Sequence, residues 1–277
     1  MTRQSMARRL IDAAENDPRI VGLLDYGSSS EGRADEWSDI DVALFIRDAE
    51  VTDFERNWQQ WAAQLGPLLL AYVGHIGYPW TVYAAEPVPL RVDCDLHPDS
   101  AISKIETWPN SPTSVDAMLW YDGTGGKLRA AVDGIVGNSL APVNPAEEFT
   151  QLAGDFWYFL LYCHCKLQRG ELWVARQVFH CEVLEHLMRL IRMEAGAFER
   201  WRGSHAAQDI EVRASSERLH QLDRCIPGSG RGDLRVALAA TRGLGAEVCQ
   251  SIAAQHHWSW PNELAEELST LFAHGAG

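Results

Sequence analysis

The stretch that decides the fold lies near the start of the chain, where residues 20–28 read IVGLLDYGS and residues 38–46 read SDIDVALFI. Each stretch carries a short apolar run rich in branched residues, which predicts a buried strand. Gly27 and Ser28 follow the first run, and ten residues separate Ser28 from Asp39 at the start of the second. We therefore expect a tight turn and an acidic pair at neighbouring strands.

The acidic pair, Asp39 and Asp41, suits a divalent cation. Alternate residues of a strand share one face and lie roughly 7 Å apart, because each residue adds ~3.3 Å of rise. Two unpaired carboxylates at the edge of a core are costly. Mg²⁺ is a natural partner, since it prefers oxygen and is usually held by a few carboxylates together with substrate phosphates. The pattern predicts Asp39 and Asp41 as magnesium ligands.

The turn that precedes this pair suits a phosphate group. Gly27 lets the backbone approach a phosphate closely, and Ser28 offers a hydroxyl group. We expect the residues after Ser28 to begin a short helix, whose N-terminal N–H groups attract anions. A polyphosphate would then lie between the Gly27-Ser28 turn and a metal held by Asp39 and Asp41.

A third acidic residue lies on the alternating segment 90–96, which reads LRVDCDL. The alternation predicts a strand with Arg91, Asp93 and Asp95 on one face. Asp93 is the candidate for a third carboxylate, either as the ligand of a second metal or as the base that takes the proton from an attacking hydroxyl. Asp95 either lines the substrate pocket or pairs with Arg91.

Neither acidic pairs nor Gly-Ser pairs are informative alone, because both are common on protein surfaces. Their order is more specific: an apolar strand, Gly-Ser, nine residues, Ser-Asp-x-Asp at the start of an apolar strand, and later an Asp on an alternating strand. This ordered set indicates metal-dependent transfer of a nucleotidyl group.

Composition excludes some classes of protein. The 277 residues include 38 acidic and 24 basic side chains, a net charge of −14, which disfavours a nucleic-acid partner. The same charge fits a cationic small substrate, and it fits plain solubility equally well. The chain lacks a run of ~18–20 apolar residues that would cross a membrane and an apolar leader segment. Six cysteines without the spacing of a disulfide scaffold predict a reduced, cytoplasmic protein.

The order of predicted elements divides the chain into an α+β domain with a mixed sheet, residues 1–140, and a helical bundle of four or five helices, residues 141–277. Cys163, Cys165 and nearby histidines in the second part suggest zinc, but an i, i+2 pair points to different sides of a helix, so we expect packing. The predicted strands lie near 20–26, 39–46, 68–75, 79–86, 89–96 and 118–122, and the longer helices near 3–16, 52–66, 146–169, 171–195, 232–254 and 261–273.

Several motifs resemble the nucleotidyltransferase superfamily that includes antibiotic-modifying adenylyltransferases, and within it the two-domain lincosamide nucleotidyltransferases. The similarity covers about the first 195 residues, and the remainder matches only in general helical character. The motifs are Asp25-Tyr26-Gly27-Ser28, Glu31-Gly32, Ser38-Asp39-Ile40-Asp41, residues 117–122 with Thr124-Gly125, residues 167–171 and residues 190–193.

The resemblance implies a nucleotidyltransferase-fold domain followed by a helical bundle, dependence on Mg²⁺, and transfer of a nucleoside monophosphate from ATP or another NTP to a hydroxyl of a lincosamide antibiotic, giving resistance. It also implies a homodimer. By its pattern Asp39 and Asp41 are metal ligands, Asp93 is the base, and Gly27, Ser28 and Ser38 belong to the nucleotide-binding motif. Relatives can carry Glu at positions 41 or 93 and His at position 95, which leaves the acceptor drug open.

The helical half offers candidate cations for the triphosphate. Lys166 and Arg169 lie three residues apart on one predicted helix face, where they could neutralise developing negative charge or act as ordinary solvated charges. Two alternatives to the lincosamide hypothesis remain. One is an aminoglycoside nucleotidyltransferase, and the other is an antitoxin-like or regulatory protein of this fold that modifies or binds a macromolecular partner.

Overall fold

The computed structural model describes residues 1–199, 201 and 205–274. The chain forms two compact units, Met1–Ser139 and Leu140–Gly277, a division one residue away from the predicted boundary. The first unit combines a mixed sheet with helices and the second is helical. The α+β class predicted from the sequence is therefore confirmed.

The first unit is described throughout, and all the strands predicted in it are present in one six-stranded sheet. In chain order they are β1 (Ile20–Asp25), β2 (Ile40–Ile46), β3 (Leu68–Val73), β4 (Pro79–Tyr83), β5 (Leu90–Pro98) and β6 (Leu119–Asp122). Across the sheet their order is β3-β4-β5-β2-β1-β6. The central pair β2 and β5 is parallel, and the other neighbours are antiparallel.

Helices cover one face across most of the sheet and the other face only beside β1 and β2. The face packed by α1 and α2 takes buried residues from β1, β2, β4 and β5. The core on the opposite face takes buried residues from β1 and β2, and none from β3, β4 or β5. The helices are α1 (Arg3–Asn16), α2 (Val51–Ala63), a 3₁₀ helix (Asp99–Thr107) that we did not predict, α3 (Val115–Met118) and α4 (Lys127–Asp133).

Local signals explain where the helices begin and end. The side chain of Thr2 accepts a hydrogen bond from the N–H of Ser5 and caps α1. In the second unit, Asn144 caps the N–H of Glu147 and Pro145 occupies the first turn of α5. The helix ends just before Gly170, whose φ of +80° is readily adopted by glycine.

The described part of the second unit is built from helices around one apolar core. The predicted helix 171–195 is present but contains a π-helical turn, Phe179–Val183, and two short helices lie in or near the region 203–218, whose residues 203 and 204 are outside the described part. The helices are α5 (Pro145–Gln168), α6 (Leu172–Val178), α7 (Leu184–Glu194), α8 (Ile210–Arg213), α9 (Ser216–Asp223), α10 (Arg231–His256) and α11 (Asn262–His274).

Candidate active site

The register of the two central strands brings the predicted carboxylates together. In the parallel pair β2–β5, Asp41 lies directly opposite Asp93, so both side chains project from the same face of the sheet. Asp39 stands one residue before β2, on the same side as Asp41. The structure thus places all three predicted acidic residues at one point of the sheet, where the covered half of this face ends.

Burial and neighbouring negative charge raise the pKa values of Asp25, Asp41 and Asp93. Burial raises the pKa of Asp41 to about 7, and repulsion by Asp39 and Asp93 adds to it. Burial, followed by the charge of Asp39, also raises the pKa of Asp93. Asp25, at the end of β1, is fully buried, and burial raises its pKa to about 6. The site is therefore short of positive charge, as expected of carboxylates arranged for a cation.

Two arginines supply part of that charge. The Arg91 Nη2 atom lies 2.5 Å from Oδ2 of Asp39, and the Arg91 side chain is 64% exposed. Arg3 of α1 donates from Nε to the backbone oxygen of Asp39 at 3.2 Å, and its Nη2 lies 3.6 Å from Oδ2 of Asp25. Sequence reasoning missed Arg3, because no local pattern links α1 to the end of β1.

Asp95 does not pair with Arg91, so that alternative is wrong. The Oδ2 atom of Asp95 lies 2.9 Å from Nε2 of His97. The reason lies in the register: Ile40 faces Val92, which sets Asp39 beside Arg91, whereas Asp95 lies four residues further along an extended strand, roughly 13 Å away.

The turn after β1 packs against the acidic cluster. The N–H of Gly27 donates to Oδ1 of Asp25 at 3.0 Å, the local pattern of an Asx turn, which could have been recognised in the sequence Asp-Tyr-Gly. A Cβ atom at position 27 would lie 3.0 Å from both Cβ and Cγ of Asp41 and would overlap its Oδ2 atom. Glycine is therefore required here so that the Asp41 carboxylate can lie against the backbone.

The short helix expected after Ser28 is not formed, and that prediction was wrong. Two nested turns take its place: the N–H of Gly32 donates to the Ser29 oxygen, and the N–H of Arg33 donates to the Ser28 oxygen. The φ of Gly32, +69°, lies outside the helical region. Any anion site at this turn consequently depends on turn N–H groups and the Ser28 hydroxyl, without a helix N-terminus.

The residues present fit a magnesium ion and a phosphate side by side. Within the described part of the chain, the buried Oγ of Ser28 and Oδ2 of Asp25 have no hydrogen-bond partner. The neighbouring carboxylates are the hard oxygen ligands that Mg²⁺ prefers. Among the described residues, no three acidic, histidine or cysteine side chains enclose a metal position as they stand. The Asp39 carboxylate is instead paired with Arg91.

Of the remaining predicted residues, Ser38 and Lys166 have local partners. The Ser38 hydroxyl donates to Oδ1 of Asp35 at 2.8 Å, so it stabilises the turn that leads into Asp39. In the second unit, Lys166 lies 2.9 Å from Glu171, and Arg169 is exposed at the end of α5. Their roles toward a nucleotide stay predictions.

Cys163 and His164 of the second unit make packing contacts. The Cys163 thiol lies 3.1 Å from the Ala175 oxygen, and the His164 ring stacks on Phe272 with 4.8 Å between centroids. Burial raises the pKa of the Cys163 thiol to about 12, so this sulfur stays protonated at neutral pH. In the described part of the chain, no helix is both long and apolar enough to cross a membrane.

Comparisons with known proteins give only distant similarities. No family model matches the chain, and no curated protein matches it. The structure of an aminoglycoside 6-adenyltransferase from Bacillus subtilis aligns over 99% of this chain and 98% of the neighbour's chain, with 16% identity and a TM-score of 0.46. The structure of a nucleotidyltransferase-like protein from Exiguobacterium sibiricum 255-15 aligns over 91% of this chain and 77% of the neighbour's chain, with 13% identity and a TM-score of 0.39. Similarity at this level transfers no activity or substrate to the chain.

Proposed function

We propose that this protein is a nucleotidyltransferase that transfers a nucleoside monophosphate, AMP from ATP, to a hydroxyl group of a small-molecule acceptor, with Mg²⁺ as cofactor. One observation carries the proposal: the register pair Asp41–Asp93 adjoins a turn in which Gly27 is packed against Asp41. This arrangement supports the assignment of a cation site, a phosphate site and a base to neighbouring positions. In this proposal the first unit is the catalytic domain.

The chain's own groups account for the steps of the reaction. The acceptor oxygen attacks the α-phosphorus, the bond from that phosphorus to the bridging oxygen breaks, and pyrophosphate leaves. Asp93 takes the proton of the acceptor hydroxyl, and its raised pKa makes it a better base than an ordinary carboxylate. The Ser28 hydroxyl, which has no hydrogen-bond partner among the described residues, donates to a phosphate oxygen.

Asp39 and Asp41 hold the metal in this proposal. When bound there, Mg²⁺ supplies Lewis-acid stabilisation of the charge on the phosphate oxygens. Its charge also offsets the mutual repulsion that raises the pKa of Asp41. Positioning and electrostatics supply most of the acceleration in such transfers.

A lincosamide is the acceptor that we propose, with resistance to that drug as the consequence. The net charge of −14 supports a cationic acceptor without separating lincosamides from aminoglycosides. The homodimer, the cytoplasmic location, the absence of nucleic-acid and membrane partners, and the contribution of Lys166 and Arg169 to binding the triphosphate stay predictions.

The test is an assay of the purified protein with ATP and Mg²⁺ against clindamycin and kanamycin. We expect a mass gain of one AMP on clindamycin, together with release of pyrophosphate that depends on the drug. A gain on kanamycin alone would identify an aminoglycoside enzyme. Asp41→Asn removes a proposed ligand, and Asp12→Asn, an exposed residue of α1, is the matched control. Equal turnover of the two variants would refute the metal-ligand role.

A further inference from the structure

A row of register pairs extends sideways from the acidic cluster across the sheet. Asp41 faces Asp93, Asp93 faces Trp80 of β4, and Trp80 faces Tyr72 of β3. Residues directly opposed on neighbouring strands project to the same face, and strands lie about 4.8 Å apart. Trp80 is therefore the side-chain neighbour of the proposed base, and Tyr72 begins roughly 10 Å from it.

A second row runs parallel to the first and is apolar. Leu70 of β3 faces Val82 of β4, and Val82 faces Arg91 of β5. Together with Trp80 and Tyr72, these residues form a surface of four apolar side chains that adjoins Arg91 and Asp93. We call this surface the β3–β4 platform.

The indole of Trp80 is held in place by its neighbours. A Cβ atom at Gly74 would lie 2.5–2.7 Å from three atoms of the indole, so the ring lies across the Gly74 backbone. Tyr72 contacts the indole edge-on, with 5.8 Å between ring centroids and 86° between planes, and His75 does the same at 5.3 Å and 80°. The platform consequently presents a fixed aromatic surface, which binds a ligand with little loss of side-chain entropy.

Helices of the first unit do not cover the platform. The core on this face contains no residue of β3, β4 or β5, and Tyr72 and Leu70 are 43% and 49% exposed. Residues 66–85 contain no Asp, Glu, Lys or Arg, although 22% of the whole chain is charged. An uncharged, exposed apolar surface beside a polar reactive group is typical of a ligand-binding site.

We propose that the β3–β4 platform is the acceptor subsite, and that it takes a ring-shaped acceptor with one protonated amine and an apolar face. The proposal rests on the proposed function, because Asp93 must receive the proton of the acceptor hydroxyl. Trp80 is the direct neighbour of Asp93 across the sheet, so an acceptor whose hydroxyl reaches Asp93 can lie over the indole. No other strand offers Asp93 an apolar neighbour on this face, since its partner on the other side is Asp41.

The chemistry of the platform selects among cationic acceptors. An ammonium group within about 6 Å of an aromatic ring gains cation–π energy, and the acidic cluster adds to that attraction. Leu70 and Val82 contribute to binding only if the acceptor buries apolar surface against them. Such burial is favourable by about 25 cal/mol per Å² of apolar surface. A polycation that is polar on all sides gains nothing from this part of the platform, so the platform favours a monocationic, partly apolar acceptor.

The experiment compares Trp80→Leu with Trp80→Phe, and uses Tyr78→Leu as the matched control. Tyr78 is an exposed aromatic residue of the same hairpin that lies outside the platform. Clindamycin and kanamycin are the probes, binding of each drug without nucleotide is measured by calorimetry, and thermal melting checks that every variant is folded. We expect Trp80→Leu to weaken clindamycin binding about tenfold or more, the scale of a lost aromatic contact of 1.4 kcal/mol, with Trp80→Phe in between.

Kinetics then separate this subsite from the proposed activity. We expect Trp80→Leu to raise the KM for clindamycin while the KM for ATP stays unchanged, and Tyr78→Leu to change neither. If the wild type adds AMP to clindamycin but Trp80→Leu changes the affinity and the KM for clindamycin less than twofold, the proposed subsite is refuted and the proposed activity is retained. If the wild type transfers no AMP, calorimetry alone tests the subsite. The subsite would be refuted if wild type and Trp80→Leu bound clindamycin equally, if the wild type bound kanamycin more tightly than clindamycin, or if the wild type did not bind clindamycin.

Discussion

The carboxylate of Asp41 lies against the Cα atom of Gly27, so closely that a side chain at position 27 would overlap it. This contact joins the turn that we assign to the phosphate with a carboxylate that we assign to the metal. Any group larger than hydrogen at position 27 has to turn the Asp41 side chain away from its place beside Asp93. The two halves of the proposed site are thus mechanically linked.

The first prediction concerns this contact. Gly27→Ala is expected to lower kcat/KM for AMP transfer about 100-fold or more, equivalent to ~2.7 kcal/mol of barrier, because the Asp41 carboxylate is displaced. The cost in stability is expected to be about 1–2 kcal/mol. Gly154→Ala is the matched control, since a Cβ atom there meets nothing within 4 Å, and in the interior of α5 it should stabilise by about 0.5–1 kcal/mol. Unchanged turnover in Gly27→Ala would contradict the assignment of the turn.

The second prediction concerns the charge of Asp41. Its pKa is raised from 3.8 to about 7 in the folded protein, so the folded state binds a proton more tightly than the unfolded state does. Stability of the metal-free protein should therefore fall as pH rises from about 4 to about 7. Asp41→Asn removes this penalty, and we expect it to be more stable than the wild type at pH 8 by on the order of 1–2 kcal/mol.

Urea denaturation in EDTA at pH 8 and pH 5 measures this difference. The advantage of Asp41→Asn should shrink at pH 5, where Asp41 of the wild type is mostly protonated, while Asp12→Asn should show no such dependence. A variant that is less stable than the wild type at pH 8, or an advantage that grows as pH falls, is incompatible with a destabilising Asp41 charge. A more stable variant that has lost AMP transfer would show that the acidic cluster is kept for function.

The third prediction concerns Arg91, which holds the Asp39 carboxylate. A metal ion has to compete with this guanidinium for Asp39, and the competition is weak because the arginine is largely exposed. Arg91→Gln is expected to tighten binding of Mn²⁺ to the nucleotide-free protein about two- to fivefold, measured by electron paramagnetic resonance. Arg129→Gln, which removes an exposed arginine paired with Asp116, is the control. Weaker Mn²⁺ binding in Arg91→Gln would mean that Arg91 supports the metal site.

The fourth prediction concerns addition of the metal. A ligand that binds only the folded state stabilises it, by about 1.4 kcal/mol when its concentration is ten times Kd. We expect Mg²⁺ to raise the melting temperature of the wild type, and ATP to raise it further. In Asp39→Asn and Asp41→Asn the shift with Mg²⁺ should be lost. An equal shift in these variants would place the metal elsewhere in the protein.

The sequence by itself determined the six strands, the longer helices and the grouping of Asp39 with Asp41. These features depend on local physics: alternation of apolar and polar residues identifies a strand face, and caps such as Thr2 and breaks such as Gly170 end helices. The short helix after Ser28 was predicted wrongly. The segment forms a turn instead, in which Gly32 takes a positive φ that a right-handed helix does not allow. The 3₁₀ helix Asp99–Thr107 was missed, since its pattern does not differ from that of a loop.

The tertiary structure alone decided which residues meet across the sheet. The order of strands is not encoded within any one strand, so the sequence could not show that Trp80 would neighbour Asp93 or that Arg91 would pair with Asp39 and not with Asp95. The need for glycine at position 27 likewise arises from Asp41, fourteen residues away. Local spacing specifies which side chains share a face, and only the packing of strands against one another specifies their neighbours on that face.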